Sequence, residues 1–389
     1  MKKILYLTFY FEPDLCAGSF RNTPLAKELA RQLGDENEII IITTKPNRYN
    51  TFKVAAPLFE KIGNMTIHRI SIPEHKSGFM DQILSFRAFY RGANKIAKEN
   101  DYDLVFASSS RLFTAYLAYR ISITRKVPLY LDVRDIFTDT MQDVLKNKLI
   151  KAFALPVLKF IERKTFAHAK HINLISAGFA SYFKKYTEPT YTFYSNGIDD
   201  EFVAMEKSTH ANIGIQKIIY AGNIGEGQGL HIIIPQAAKA LEGKYEFLVV
   251  GDGGAKVRLK DEMEKLSVTN VRLIDPVKRS GLMELYKESD FFFIHLNDYE
   301  AFKKVLPSKI FELAAYDKPI IAGVSGYARE FLEQHVSNSI LFDPGDADVF
   351  VQKISAYQYR REERTAFIQK FMRSNLNAEM ASSILTYLK

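Results

Sequence analysis

The feature that most constrains the fold of this chain is a regular alternation between short apolar runs and longer amphipathic segments. Runs such as ILYLTF, DLVFASS and YEFLVVG have the length and the β-branched or aromatic content of buried strands, and each precedes a segment with helical periodicity. Strands that alternate with helices of about 10–15 residues predict parallel sheets whose faces are covered by helices. We therefore expect an α/β fold built from doubly wound parallel sheets.

The alternation occurs in two series, which are separated by a polar stretch, EKSTHANIGIQ, at residues 206–216. A chain of 389 residues is long enough for two domains. We predict an N-terminal domain over residues 1–200, a C-terminal domain over 201–370, and a helix over 371–389 that packs back on the N-terminal domain. Because ligands of parallel sheets bind past the carboxyl ends of the strands, we expect ligands to bind in a cleft between the two domains.

The positive charge of the chain is concentrated in its N-terminal half. Residues 1–200 contain 29 Lys and Arg against 20 Asp and Glu, a balance of +9, whereas residues 201–389 contain 24 against 25, a balance of −1. A basic half suits nucleic acid, an anionic membrane or a phosphorylated acceptor. Nucleic acid is not favoured, because the basic residues accompany aliphatic side chains rather than a known binding module.

One basic segment, KNKLIKAFALPVLKFIERKTFAHAKH at residues 146–171, mixes lysines with large apolar side chains at helical spacing. It is either an interfacial surface that touches an anionic membrane or a packed helix with a solvated face. The chain has no apolar run of about 18 residues, so we expect no transmembrane helix. The single cysteine, Cys16, excludes an internal disulfide and fits a cytoplasmic location.

Two stretches of the N-terminal half place polar residues directly after predicted strands. In FEPDLCAGSFR, we expect Gly18 and Ser19 to form a flexible turn before a helix that begins near Thr23, and we expect this turn and Arg21 to bind the donor, with Arg21 placed for its anion. The alternative is an ordinary loop between a strand and a helix.

The second stretch is LDVRDIFTD, in which Asp132, Arg134 and Asp135 cluster at the end of a strand. Two carboxylates and a guanidinium at a predicted ligand-binding edge suit the recognition of a polar acceptor. The alternative is a surface ion pair, which would stabilise the fold little.

The C-terminal half contains a glycine-rich stretch, YAGNIGEGQGLHII, between a predicted strand and a predicted helix. Backbone N–H groups around Gly222, Asn223 and Gly225 can cradle a phosphate in such a loop. Gln228 stands where a P-loop has its lysine, so the stretch is not a P-loop. The alternative is a tight turn without a ligand.

Two further strand ends add candidates for donor binding. Asp252 ends the run VVGD, and Pro276 and Val277 follow the run RLID, where they are placed to line a site for a nucleotide base. His295 ends another strand and is predicted to face the same edge. The sequence shows no zinc-type spacing of Cys and His, so no metal site is predicted.

In the stretch VLPSKIFELAAY, Leu306 precedes an apolar helix that is predicted to begin with Pro307, Ser308 and Lys309 and to continue through IFELAAY, with Glu312 one turn further in. A helix N-terminus and a lysine both attract an anion such as a phosphate. A carboxylate would repel that phosphate, so Glu312 is expected to meet hydroxyl groups of the same ligand. A phosphate joined to a polyol is a nucleotide sugar, which is the ligand this stretch predicts.

The ordered set of motifs resembles the family-4 glycosyltransferases of the GT-B fold over nearly the whole chain. YFEPDLCAGSFR is similar to that family's first loop, SNGID at residues 195–199 is similar to its inter-domain segment, and YAGN, VVGDG and PSKIFE…KPIIAG follow in the family's order. The nearest subgroup resembles bacterial N-acetylfucosaminyl transferases of surface-polysaccharide synthesis, which favours VLPSKxFE. The resemblance implies two Rossmann-like, doubly wound domains with an inter-domain cleft.

The resemblance also implies a reaction. A retaining glycosyltransferase would move a sugar from a nucleotide sugar, here a UDP-sugar, to a polyprenyl-diphosphate-linked glycan of O-antigen or capsule synthesis. It would act in the cytoplasm at the face of the inner membrane, with the nucleotide sugar as co-substrate and with no cofactor or metal. Two alternatives stay open: an epimerase or hydrolase of sugar nucleotides with the same fold, and a non-catalytic nucleotide-binding membrane scaffold.

Residue roles follow from the resemblance as expectations. Lys309 is expected to stabilise the departing diphosphate, and Glu312 to bind the ribose hydroxyls of the donor. Arg134 and Asp135 are expected to bind the acceptor, and Asp135, or another carboxylate of the N-terminal domain, is expected to orient it.

The chain departs from the family pattern at three positions. Many members carry an arginine and a lysine in the glycine-rich loop, where this chain has Asn223 and Gln228. They also carry a second glutamate, where this chain has Lys304. The neutralisation of the donor phosphates is therefore expected to depend on Lys309.

Overall fold

The computed structural model describes residues 1–14, 16–47, 55–73, 79–109, 111–144, 148–203 and 214–388. Most of the polar stretch at residues 206–216 lies outside this part of the chain. The strands, numbered in chain order, are β1 (Lys3–Thr8), β2 (Glu38–Thr44), β3 (Phe59–Ile62), β4 (Met65–Ile70), β5 (Leu104–Ser109), β6 (Leu129–Val133), β7 (His171–Leu174), β8 (Thr190–Thr192), β9 (Gln216–Asn223), β10 (Tyr245–Asp252), β11 (Val271–Ile274), β12 (Phe291–His295), β13 (Ile320–Gly323) and β14 (Ser339–Phe342).

The helices of the described residues connect these strands. They are α1 (Ala17–Leu33), α2 (Phe79–Lys98), α3 (Leu112–Arg125), α4 (Phe137–Val144), α5 (Lys148–His168), α6 (Ala180–Phe183), α7 (Asp200–Val203), α8 (Leu230–Ala240), α9 (Lys256–Lys265), α10 (Arg279–Glu288), α11 (Lys309–Ala314), α12 (Gly326–His335), α13 (Ala347–Ser355), α14 (Thr365–Phe371) and α15 (Arg373–Leu385).

The chain folds into two compact units, each with its own sheet and core. Unit 1 comprises residues 1–196 and 374–389, and unit 2 comprises residues 197–373. The C-terminal residues of unit 1 form most of α15, whose buried Met380, Ala381 and Ile384 belong to the same apolar cluster as the side chains of β1 and β2. Unit 2 is thus an insertion into unit 1 along the sequence.

Unit 1 contains an eight-stranded sheet in the order β3-β4-β2-β1-β5-β6-β7-β8. The strands from β4 to β8 run parallel, and their order reverses between β1 and β5, as in a doubly wound fold. One strand departs from the predicted parallel pattern, since β3 pairs antiparallel with β4 across the tight turn at Gly63. Two strands of a short hairpin need no crossover helix between them, so the alternation of strands and helices in the sequence does not reveal β3.

Unit 2 contains a six-stranded, wholly parallel sheet in the order β11-β10-β9-β12-β13-β14. Apolar side chains of β9, β10 and β12 pack with those of α8 and α13 in one core. The strand order reverses between β9 and β12, so the loops that follow these two strands lie at the point where doubly wound sheets bind ligands. The predicted fold class, α/β with two doubly wound sheets, is confirmed.

The two ends of unit 2 are joined to each other. The Ile198 N–H donates to the Phe371 carbonyl (2.8 Å), and the Arg373 N–H donates to the Ile198 carbonyl (2.8 Å). A Cβ on Gly197 would lie 2.5 Å from the Arg373 Cα, so the close approach of the two segments requires glycine. The Asp199 carboxylate accepts hydrogen bonds from Arg373 and from Arg279, which adds an ionic contact to the backbone pairing.

Within the described residues, no helix combines the length and the apolar character that a membrane span requires.

Candidate active site

The glycine-rich loop of unit 2 is shaped by close backbone packing between the ends of β9 and β10. The Ile224 N–H donates to the Asp252 carbonyl (2.9 Å), and the Ala255 N–H donates to the Ile224 carbonyl (2.9 Å). Gly251 has a φ of +143°, and a Cβ at this position would lie 1.9 Å from the Gly222 carbonyl oxygen. The predicted loop therefore owes its shape to a position in the neighbouring strand as well as to its own glycines.

We expect Gly251→Ala to lower the free energy of unfolding of unit 2 by about 1–3 kcal/mol, because the added Cβ collides with backbone and the φ disfavours a side chain. The measurement is urea unfolding of the purified variant. Gly254→Ala is the matched control, since a Cβ there meets nothing within 4 Å, and its effect should stay within about 0.5 kcal/mol. Equal effects of the two substitutions would contradict the packing described above.

The same loop is held from its other side by residues at and after the end of β12. His295 Nδ1 lies 2.6 Å from the Gln228 carbonyl, and its Nε2 accepts the Gly345 N–H (2.9 Å). Asn297 donates from its backbone N–H to Gly227 (2.8 Å) and from its side chain to the Glu226 carbonyl (2.7 Å). Burial lowers the pKa of His295 to about 4, so the ring is neutral at pH 7 and positions the loop.

Asn223 and Gln228, where many family members carry cations, form a neutral contact with each other. The Asn223 side-chain amide donates to the Gln228 Oε1 over 2.9 Å. A Cβ on Gly225 would lie 2.4 Å from the Asn223 Nδ2, so Gly225 leaves room for this contact. The structure thus brings Asn223, Gly225 and Gln228 together and leaves the loop without a charged side chain at these three positions.

A hydrogen-bonded cluster forms at the start of α11. The Lys309 Nζ lies 2.8 and 3.0 Å from the two Glu312 carboxylate oxygens and 3.1 Å from the Tyr286 hydroxyl. The Tyr286 hydroxyl also donates to the Glu312 Oε1 over 2.8 Å. Tyr286 is only 1% exposed, so it fixes the Glu312 carboxylate from inside unit 2. Lys309 and Glu312, which were predicted from the sequence, thus form one cluster with Tyr286, which was not.

The helix that carries this cluster is shorter than predicted. IFELAAY was expected to be helical throughout, but α11 is only six residues long and ends at Ala314. Pro319 follows closely and disfavours a helical residue before it. A helix this short has a weak macrodipole, so Lys309 is expected to contribute more than the helix N-terminus to the attraction for a phosphate, and that attraction stays a prediction.

The other predicted donor residues lie at the same carboxyl edge of the unit 2 sheet. Asp252 ends β10, is exposed, and accepts a hydrogen bond from the Gly253 N–H (2.9 Å). Pro276 and Val277 follow β11 and are both exposed. In the segment that leads into α11, Leu306 is buried while Pro307 and Ser308 are partly exposed. Their assignment to donor binding stays a prediction.

Arg21, expected to bind an anion of the donor, is instead buried inside unit 1. Its guanidinium contacts both Asp132 carboxylate oxygens at 2.8 Å and donates to the carbonyls of Tyr194 (2.8 Å) and Ser195 (2.9 Å). Arg21 is 3% exposed and Asp132 is fully buried. This bidentate pair makes Arg21 a structural residue, and the expectation that it binds the donor is corrected.

Gly18 and Ser19 do not form a flexible turn, since α1 begins at Ala17 and includes both of them. A Cβ on Gly18 would lie 3.0 Å from the Arg134 Nη1 and 3.0 Å from the Tyr10 side chain. Gly18 therefore provides the space in which the Arg134 guanidinium lies, and the expected loop is corrected to the first turn of a helix.

Arg134 and Asp135 follow β6 and form the second cluster of candidate residues, in unit 1. Burial lowers the pKa of the Arg134 guanidinium, and its Nε is buried without a hydrogen-bond partner in the described structure. Burial also raises the pKa of the Asp135 carboxyl to about 6, although the Thr140 hydroxyl donates to it over 3.2 Å. A partly buried cation whose buried Nε has no hydrogen-bond partner favours an anionic ligand.

Arg111 is a further cation at this edge that sequence reasoning missed. It follows β5, lies 4.2 Å above the Phe9 ring, and donates to the Tyr10 hydroxyl (3.3 Å). Tyr10 also borders the space at Gly18 that Arg134 occupies. The signal was its place two residues after the run DLVFASS, since β5 adjoins the strand β1 at which the strand order of unit 1 reverses. Among the described residues, no group of three or more His, Cys, Asp or Glu could hold a metal ion.

Comparison with known proteins places a family match on unit 2. Residues 205–371 match the model of the family described as "Glycosyl transferases group 1". WcaI of Escherichia coli (strain K12), named as a glycosyl transferase of colanic acid biosynthesis, is 27% identical over 139 residues. That similarity covers 35% of this chain, and it spans only 34% of the relative's own length. The family match shows that unit 2 is similar to the group 1 glycosyl transferases.

Solved structures with the same architecture extend over the whole chain. The Anabaena protein Alr3699/HepE in complex with UDP-glucose has a TM-score of 0.66 at 14% identity, covering 99% of this chain and 100% of that one. The lipopolysaccharide outer core galactosyltransferase WaaB has a TM-score of 0.63 at 12% identity, covering 100% of both chains. Identities this low show the fold, and the fold is GT-B.

Proposed function

We propose that this chain is a retaining glycosyltransferase. It moves a hexosyl or N-acetylhexosaminyl group from a UDP-sugar to a polyprenyl-diphosphate-linked glycan in bacterial surface-polysaccharide synthesis. One observation carries the proposal: the residues that match the family, 205–371, make up nearly all of unit 2. This unit contains the hydrogen-bonded cluster of Lys309, Glu312 and Tyr286. The UDP-glucose bound to the similar HepE structure supports a UDP-sugar donor, and the name of WcaI supports a polysaccharide product.

In unit 2, the donor would bind at the carboxyl edge of the sheet. The backbone around Gly222 and Gly225 would approach the diphosphate closely, and Pro276 and Val277 would contact the base. Glu312 is an acceptor of hydrogen bonds, so it suits the ribose hydroxyls. Tyr286 supports this role because it holds the carboxylate in one orientation before the donor arrives.

Lys309 would exchange partners when the donor binds. Without a ligand its charge is compensated by Glu312 at 2.8 Å. A diphosphate carries more negative charge than one carboxylate and would attract the ammonium group, while the ribose hydroxyls replace it at Glu312. Lys309 would then stabilise the negative charge that develops on the diphosphate as the sugar leaves, with no metal required.

In unit 1, the acceptor would bind beside Arg134, Asp135 and Arg111. The partly buried Arg134 guanidinium would donate a charge-assisted hydrogen bond to an anion, which the diphosphate of the lipid-linked acceptor would supply. With a pKa of about 6, Asp135 is mostly ionised at pH 7, so it can accept a hydrogen bond from the acceptor hydroxyl and orient it.

Thermal unfolding with added nucleotides tests the donor site. We expect UDP to raise the melting temperature of the protein, because a ligand at about 100 times its Kd stabilises the folded state by about 2.7 kcal/mol. GDP, ADP and CDP at equal concentration are the controls and should shift it less.

Donor turnover then separates the proposal from its rivals. Sugar transfer that requires a lipid-linked acceptor supports it. Donor consumption without acceptor would indicate a hydrolase or epimerase, and nucleotide binding without any turnover would indicate a scaffold. The absence of a shift with every nucleotide would contradict the donor site itself.

A further inference from the structure

The helix α5 has an apolar side that faces away from the core of unit 1, although the solvent-facing side of a helix is normally polar. Phe153 is 76% exposed and Phe160 is 62% exposed, and Ile150 and Val157 are at least half exposed. Spacings of three, four and three residues bring these side chains onto one face of the helix. We call these four residues the α5 apolar stripe.

The opposite side of α5 is fixed to unit 1, so the helix is not free to turn the stripe inward. Leu158 and Phe166 are buried. The buried Glu162 carboxylate accepts hydrogen bonds from the hydroxyls of Tyr182 (2.7 Å) and Tyr186 (2.9 Å). These contacts set the rotation of α5 about its axis, and the exposure of the stripe follows from that rotation.

Cations border the α5 apolar stripe. Lys159, Arg163 and Lys164 are exposed, and the Lys164 Nζ lies 5.8 Å from the centre of the Phe160 ring. From residue 150 to residue 168 the sole acidic residue is Glu162, which faces inward. The exposed face of α5 therefore combines large apolar side chains with three exposed cations.

We propose that the α5 apolar stripe, with its bordering cations, docks on an anionic lipid bilayer. Aromatic and aliphatic side chains beside Lys and Arg are the composition of helices that lie in the membrane interface. Anionic headgroups complement the three cations, whereas a second copy of this chain would bring the same positive charges and be repelled. The inference rests on the proposed function only in that a polyprenyl-linked acceptor resides in such a bilayer.

Vesicle flotation tests the proposal. Wild-type protein is mixed with vesicles of phosphatidylglycerol and phosphatidylethanolamine, or of phosphatidylcholine alone, at moderate salt. We expect the bound fraction to be high on the anionic vesicles and low on the neutral ones. The double variant Phe153→Ser/Phe160→Ser should lower the vesicle partition coefficient about tenfold or more, because it removes the two most exposed rings of the stripe.

Val257→Ser is the matched control, because Val257 is an exposed apolar residue of α9 in unit 2, at 69% exposure, and the substitution should leave flotation unchanged. Equal flotation of the double variant and the wild type would overturn the proposal. A wild-type protein that does not bind anionic vesicles would overturn it as well. A concentration-dependent dimer that the double variant abolishes would assign the stripe to a protein interface instead. The UDP-dependent thermal shift of each variant is measured in parallel, so a failed docking surface is distinguishable from a failed donor site.

Discussion

Replacing Lys309 by alanine is expected to lower the kcat of sugar transfer about 10²–10³-fold, because the variant lacks the cation that would stabilise the departing diphosphate. The free energy of unfolding should change by less than about 1 kcal/mol, since the pair with Glu312 is partly exposed and lies on one short helix. Glu312 keeps its hydrogen bond from Tyr286 in the variant, so the carboxylate is not left without a partner. Steady-state kinetics with saturating donor measure the effect.

Two further variants make this result specific. Lys303→Ala removes a partly exposed lysine that precedes α11 and pairs with Asp298 and Glu300, and this variant should keep nearly full activity. Lys309→Arg keeps the charge and should recover part of the lost rate, although a guanidinium does not reproduce an ammonium group. A Lys309→Ala enzyme as active as Lys303→Ala would remove Lys309 from the reaction.

Replacing Asp132 by alanine is expected to lower the free energy of unfolding of unit 1 by about 3–5 kcal/mol, because it leaves the Arg21 guanidinium buried without a counter-charge. Although burial opposes its ionisation, Arg21 and the hydrogen bond from Asn173 lower the pKa of Asp132, so the carboxylate is charged in the folded protein. The side chains of Ser108 and Asn173 also donate to it at 2.8 Å and would lose their acceptor. Urea unfolding measures the loss.

The control for this result is a surface pair in the same unit. Asp101 is 94% exposed and pairs with Arg125 at 2.9 Å, so Asp101→Ala should cost no more than about 1 kcal/mol. The substitution lies in unit 1, so UDP should still stabilise unit 2 of the Asp132→Ala variant at urea concentrations at which unit 2 is folded. A loss below about 1 kcal/mol in Asp132→Ala would show that unit 1 does not depend on the buried pair.

The fold was predictable because it depends on the local periodicity of apolar and polar residues, which can be read directly from the sequence. Parallel strands need crossover helices, so the alternation of the two patterns fixes both the sheet type and the number of series. The start of α1 was wrong by several residues because Gly18 and Ser19 are typical turn residues. The space that Gly18 leaves for Arg134 could not be predicted, because Arg134 is more than 100 residues away in the sequence.

The candidate site was predictable to the extent that it lies at the ends of parallel strands. Lys309 and Glu312 are three residues apart on a helix, and this spacing already predicts that their side chains contact each other. In the sequence-based prediction, the two side chains were instead assigned to separate groups of the donor. The burial of Arg21 had no such signal, because its partner Asp132 is 111 residues away. Tyr286 was equally hidden, since nothing in the run GLMELYKE distinguishes a core tyrosine from one that orients a carboxylate.

The joined ends of unit 2 have a consequence for the order in which the chain folds during synthesis. Once residue 373 has emerged from the ribosome, unit 2 has every residue it needs, and the pairing of Ile198 with Phe371 and Arg373 can close it. Unit 1 at that moment still lacks α15, and its sheet presents an apolar groove where Met380, Ala381 and Ile384 will lie. The unit encoded first is therefore completed last, and nascent chains that stop within α15 would display that groove to chaperones while carrying an intact unit 2.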